Sequence, residues 1–127
     1  MRIVDANVLL YAVNSSAEHH DASRRRLDGA LSGADVVGLA WVSLPEDAMA
    51  QVRDWCSAPS AVMVNPTARH ADVLSNLVLG MGSGGNLIND AHLAALAIEH
   101  RARIVTYDND FGRFDGVSWD VPEVLLG

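Results

Sequence analysis

Short apolar runs alternate along this chain with longer segments of helical periodicity, and no other feature constrains the fold as tightly. Ile3-Val4 is a β-type run, and Val8 to Val13 starts a helix. Ser16 then caps a helix from Ala17 to about Leu31, with Glu18 in its first turn and Gly33 at its end. Ala22, Leu27, Ala30 and Leu31 can share its buried side, while Arg24, Arg25 and Arg26 lie mainly outside it. Val36 to Ala40 is apolar throughout and reads as a strand buried on both faces. Pro45-Glu46-Asp47 opens a helix to about Ser57, with Ala48, Val52 and Trp55 roughly on one side. Ala61 to Val64 is a third strand. Asn65-Pro66-Thr67 caps a helix from Ala68 to Leu79 that carries Ala71, Leu74, Leu77 and Val78 at helical spacing. Gly80 to Gly85 is a glycine-rich loop with no strand before it, so it is not a dinucleotide fingerprint. Asn89 or Asp90 caps a helix to about His100, with Leu93, Leu96 and Ala97 inward. Arg103 to Tyr107 is a fourth strand, and Val117 to Trp119 a last edge strand. Such alternation predicts an α/β domain whose parallel sheet is covered on both faces.

With 127 residues the chain has room for one domain, 1–127. Half of it is hydrophobic and 20% is charged, a balance that suits a packed core. No apolar run approaches the roughly 18 residues of a membrane span, and Asp5 interrupts the start too early for a signal peptide. These features predict a soluble, cytoplasmic protein. Cys56 stands alone and reads as a small helix residue, which leaves neither a disulfide nor a cysteine zinc site. The net charge of −7 argues against nucleic acid, unless a bound cation reverses the local sign or a basic partner supplies charge. All nine basic residues are arginine. Without lysine there is no P-loop, and phosphoaspartyl and receiver-type domains, whose patterns carry a lysine, are excluded with it.

In open α/β sheets, ligands bind beyond the carboxyl ends of the strands. Two strands here end in aspartate, Val4-Asp5 and Tyr107-Asp108, and Asp90 starts the helix before the second. Helix starts and strand ends share one edge of a βαβ layout, so the three acids can converge. Held together they raise one another's pKa unless a cation joins them. Mg²⁺ or Mn²⁺ suits such an oxygen-rich site and can assist attack on a phosphodiester. Asp110 is a candidate fourth ligand, and Asn7 and Thr106 are candidates to position ligands or substrate. Asp90 also reads as a simple helix cap, and Asp108-Asn109-Asp110 as turn chemistry. Asp5 is harder to dismiss, because a carboxylate between apolar runs needs a partner. Arg24-Arg25-Arg26 reads as a solvated helix face, and His19-His20 as surface. His92, close to Asp90, is a candidate for proton transfer, but it reads first as a helix-surface histidine.

The opening Ile3-Val4-Asp5-Ala6-Asn7-Val8-Leu9-Leu10-Tyr11-Ala12 resembles the start of PIN-domain proteins. Gly85-Asn86-Leu87-Ile88-Asn89-Asp90-Ala91-His92-Leu93-Ala94-Ala95-Leu96-Ala97 resembles their third acidic motif, and Thr106-Tyr107-Asp108-Asn109-Asp110-Phe111 their closing one. Together they resemble the VapC toxins of VapBC toxin–antitoxin modules. The resemblance implies a three-layer α/β/α sandwich with a central, mostly parallel sheet and Mg²⁺- or Mn²⁺-dependent endoribonuclease activity. It also implies a cognate VapB-type antitoxin and a homodimer. Asp5, Asp90 and Asp108 carry over as metal-site acids, and Asp110 less directly. One part of the pattern differs. Trp41-Val42-Ser43-Leu44 runs straight into Pro45-Glu46-Asp47, where related toxins have a further helix and loop and many PIN nucleases have a glutamate. Either the chain is naturally shortened around 44–45 or its sequence skips a helix and loop there, and Glu46 falls at the first turn of the next helix rather than in the site. Two other readings stay open: a PIN-like binding module that no longer cuts, and a PIN nuclease of RNA processing unconnected with a toxin.

Overall fold

The computed structural model describes residues 1–14, 20–81 and 88–122. Five parallel strands form one sheet in the order β3-β2-β1-β4-β5, with β1 Arg2–Val4, β2 Val37–Leu39, β3 Ala61–Met63, β4 Arg103–Val105 and β5 Trp119–Asp120. Helices α1 Ala6–Val13, α2 His20–Leu31, α3 Met49–Ser57, α4 His70–Met81 and α5 Ile88–His100 surround it. β1 is central, pairing Ile3 with Ile104 of β4 on one side and with Gly38 of β2 on the other.

Side chains alternate across the sheet and so feed two cores. Ile3 and Ile104 pack with Ala91, Ala94 and Ala95 of α5 and with Phe111 and Phe114. On the opposite face Val4 packs with Val8 and Leu9 of α1, Leu27 and Leu31 of α2, and Val52 and Trp55 of α3. This is the predicted three-layer sandwich. The small residues of α5 let it lie close to the sheet. Gly38 serves the same close approach within β2: a Cβ there would come 2.8 Å from Val64 Cγ2 and 3.0 Å from Ile3 Cγ1.

Several boundaries move. The segment opened by Pro45 forms a 3-10 turn at Glu46–Ala48, and α3 starts only at Met49, after Ala48 leaves helical geometry at φ −127°, ψ 48°. α4 starts at His70 rather than Ala68, because Thr67 turns the chain, its Oγ1 accepting from the Arg69 amide at 3.1 Å. Ala71 is exposed, and Val73 takes the inward place on that helix. α4 also runs through Gly80 to Met81. α5 begins at Ile88, so Asp90 sits inside its first turn and is not its cap. The edge strand is Trp119–Asp120, a residue or two later than the sequence predicts. The cap at Ser16, Glu18 and the glycines at 82–85 lie outside the described residues. Among the described residues no helix is long and apolar enough to cross a membrane.

Candidate active site

From β1 the chain passes to β2 and β3 on one side, then returns through α4 and α5 to β4 on the other. The carboxyl ends of β1 and β4 therefore border the point where the sheet order reverses, the usual ligand crevice of such sheets. Asp5 follows β1 directly and stitches three elements. Its amide donates to the Val105 carbonyl at 2.9 Å, its carbonyl accepts from the Val8 amide at 3.1 Å, and it is the N-cap of α1.

The Asp5 side chain is buried, with both oxygens engaged. Oδ1 accepts from the Ala6 amide at 2.7 Å, and Oδ2 accepts from the Thr106 hydroxyl at 2.8 Å. Thr106, one residue past β4 and 0% exposed, is the hub of the site. Besides donating to Asp5, its Oγ1 accepts from Asn7 Nδ2 at 3.0 Å and from the Asp108 amide at 2.9 Å. Asn7 Oδ1 in turn accepts from the Tyr107 amide at 3.3 Å. Asn7 and Thr106 thus spend these groups on fixing the crevice, ahead of any contact with substrate. Tyr107, held by Ser23 at 2.7 Å and packed on Tyr11, closes its flank.

Burial pushes the Asp5 carboxyl above its ordinary range. The hydrogen bonds from Thr106 and Ala6 oppose that rise, and the negative charge of Asp108 adds to it. Among the described residues no arginine acts on Asp5. A buried acid raised by a neighbouring acid is the condition that a hard divalent cation relieves, so the donor set fits such an ion. Asp90, half-buried in the first turn of α5, lies at the helix end that faces this rim. As the side chains stand, no three acids or histidines among the described residues are close enough to hold an ion. The side chains of Asp110 and Glu46 lie outside the described residues.

Arg24 pairs with Asp28 at 4.0 Å, and Arg25 Nε donates to the Asp21 carbonyl at 3.3 Å, as on a solvated helix face, whereas Arg26 is half-buried and departs from that reading. His20 is not plain surface: its Nδ1 lies 2.8 Å from the Tyr11 carbonyl. His92 joins a chain missed by sequence reasoning. His70 Nδ1 meets Glu99 at 2.5 Å, and His70 Nε2 meets His92 Nδ1 at 3.0 Å. Glu99 also accepts from the Thr67 amide at 2.8 Å. The legible signal was His92 and Glu99 seven residues apart, two turns along one stripe of α5.

The PIN domain family matches residues 2–117. Ribonuclease VapC37 of Mycobacterium tuberculosis (strain ATCC 25618 / H37Rv) is 60% identical, covering 99% of this chain and 100% of its own. Ribonuclease VapC33 of the same strain is 31% identical, covering 96% and 98%. The first alignment extends over 144 residues, 17 more than the 127 of this chain. That relative therefore carries residues with no counterpart here. Among solved structures, VapBC2 from Rickettsia felis, bound to a DNA fragment from its promoter, superposes with a TM-score of 0.69 at 18% identity, covering 94% of this chain and 97% of the other. FitAB bound to IR36 DNA gives 0.61 at 15%, covering 96% and 95%. Both share the fold.

Proposed function

The chain belongs to the PIN-domain family and, within it, to the VapC ribonucleases, and on that footing we propose that it is a metal-dependent endoribonuclease, the toxin of a type II toxin–antitoxin pair, acting on single-stranded or looped RNA in the cytoplasm. One observation carries the assignment of the site. Asp5 is buried at the end of the central strand, with Asp108 near enough to raise its pKa and no described arginine acting on it.

In this reading Asp5, Asp90 and Asp108 would hold Mg²⁺ or Mn²⁺, with Asp110 as a further ligand. When bound, the ion supplies a Lewis acid for the phosphodiester and neutralises developing charge. The chain's own residues do the positioning. The Ala6 amide and the Thr106 hydroxyl fix both oxygens of Asp5. Asn7 holds Thr106 and the Tyr107 amide, so the two strand ends keep one spacing.

The whole chain, 1–127, is read as one PIN domain shortened around 44–45. Support comes from the longer alignment with VapC37 and from the two 3-10 turns, Trp41–Ser43 and Glu46–Ala48, that stand on either side of Leu44-Pro45. An intact mass of 13.6 kDa supports a true deletion, and a larger mass contradicts it. A cognate VapB-type antitoxin is the proposed partner, since two structural neighbours are VapBC2 and FitAB complexes. A homodimer is proposed from family membership.

The test is cleavage of a mixed RNA with Mg²⁺, with Mn²⁺ and with EDTA, beside Asp5→Ala as the contamination control. Cutting that needs both metal and Asp5 is the expected result. A folded protein that binds metal and cuts nothing would instead establish a non-cutting module, the reading favoured by the shortened segment around 44–45 and the absent motif glutamate. Growth arrest on expression, relieved by a neighbouring antitoxin gene, separates a toxin from an RNA-processing nuclease.

A further inference from the structure

A second concavity opens at the carboxyl edge of the same sheet. It has a volume of about 220 Å³ and is lined by Trp41, Val64, Pro66, His70, His92 and Leu96. Trp41 follows β2 almost directly, and Val64 and Pro66 follow β3, so the cavity lies beyond the carboxyl ends of β2 and β3 as the acids lie beyond those of β1 and β4. His92 joins the two. It stands two residues after Asp90 on α5, so the pair sit about 3 Å apart along the helix axis and face roughly opposite sides of it. The cavity thus flanks the acid crevice across the width of one helix.

Its chemistry is that of a flat apolar ring. The lining surface is almost wholly carbon. The His70 and His92 rings stack at 5.3 Å and 20° between planes, and the nitrogens between them are already engaged, His70 Nδ1 by Glu99 and His70 Nε2 by His92 Nδ1. At the mouth the Trp41 indole is 63% exposed, the most exposed aromatic among the described residues. The chain has no lysine and a net charge of −7, and Arg24 and Arg25 are turned to their own helix. Stacking of bases on aromatic rings needs no cation and tolerates any sequence. Resting on the nuclease reading above, we propose that this cavity seats one unpaired base of the RNA, stacked on Trp41, in the nucleotide next to the one held at the acids.

The test measures binding in the Asp5→Ala background, which keeps the RNA whole, by the anisotropy of an end-labelled single-stranded RNA ten-mer of mixed sequence and of its duplex, with tryptophan fluorescence as a local reporter. The single strand is expected to quench the fluorescence and the duplex to leave it unchanged. Trp41→Ala should weaken binding by roughly five- to a hundredfold, the worth of one stacked base. Trp41→Phe should recover most of the affinity while losing the quench. Equal affinity in Trp41→Ala, or no quench by the single strand, overturns the proposal. So does a change of oligomeric mass in Trp41→Ala by sedimentation, which would give the cavity to a second copy of the chain. Binding that depends on Trp41 in a protein that cuts no RNA would sink the nuclease reading and leave the base seat standing.

Discussion

Thr106→Val removes one oxygen and keeps the shape of a fully buried side chain, so its effect is one of hydrogen bonding. Three bonds go: the donation to Asp5 Oδ2, and the acceptances from Asn7 Nδ2 and the Asp108 amide. A bond to a carboxylate contributes about 2 kcal/mol and a neutral one about 1, and Asn7, being only half-buried, can recover part from water, so the net loss should be about 3 kcal/mol. For a domain of this size that lowers Tm by roughly 10 °C. The pH dependence follows from Asp5. Its folded pKa lies above the unfolded value, so its protonated form contributes stability that is fully present below the unfolded pKa and is lost as pH rises through the folded one. The Thr106 hydroxyl opposes that rise, and its removal lifts the folded pKa further. The cost of Thr106→Val in EDTA should therefore be largest at neutral pH and shrink as pH falls through the Asp5 pKa. Urea unfolding between pH 4 and pH 8 measures it. In the cleavage assay, the acid limb of the pH–rate profile should move upward. Thr106→Ser restores both. A valine variant within about 0.5 kcal/mol of wild type at neutral pH, the ordinary size of an inconsequential change, would refute the hub.

Gly38→Ala forces a methyl group to within 2.8 Å of Val64 and 3.0 Å of Ile3, and should cost about 1–3 kcal/mol in thermal unfolding with the metal affinity of the folded protein unchanged. For Glu99, burial pushes the carboxyl up, but hydrogen bonds from Thr67 and His70 together with the charge of His70 outweigh it and hold the pKa below the ordinary value. Its contribution is present above the unfolded pKa and lost as pH falls through the folded one, so Glu99→Gln should be destabilised at neutral pH, measured by urea unfolding, and approach wild type near pH 3. His20→Ala should lose about 1 kcal/mol with the bond to the Tyr11 carbonyl, and His19→Ala and His20→Ala should both leave the cleavage rate near that of wild type.

The parallel sheet was legible because its strands are apolar on both faces, which short runs such as Val37–Leu39 and Ile104-Val105 announce directly. The convergence of Asp5 and Asp108 was legible for the same reason: strand ends define a rim, and Asp5 follows β1 directly, although β4 stops at Val105 rather than at Tyr107 as the sequence predicts and Asp108 lies three residues beyond it. Helix starts were harder. Thr67 and Ala48 divert the chain locally with hydrogen bonds and dihedrals that compete with helix geometry, and periodicity does not register such competition. Thr106 was named only as an accessory, since nothing in its neighbourhood of the sequence reveals that Asn7, 99 residues away, donates to it. The Glu99–His70–His92 chain was hidden likewise, because its middle member comes from a different helix.

Asp5 carries structure as well as chemistry, and this governs how its substitution is to be interpreted. As the cap of α1 its side chain is worth about 1 kcal/mol, a contribution that Asp5→Ala removes along with the charge. Its amide and carbonyl bonds to Val105 and Val8 survive any side-chain change, so the fold should persist in Asp5→Ala. Asp5→Asn is the sharper instrument. Asparagine caps helices as well as aspartate does, and it removes the buried charge that Asp108 repels. Without metal, Asp5→Asn should be at least as stable as wild type at neutral pH, although its amide forfeits one of the two bonds that the carboxylate accepts. With Mg²⁺ the order should reverse, because only the wild type gains an ion. Thermal unfolding of both proteins in EDTA and in Mg²⁺ separates the two uses of the residue. A Tm that Mg²⁺ raises equally in wild type and Asp5→Asn would mean that the ion does not depend on the charge of Asp5, and the site assignment would fall whatever the cleavage assay shows.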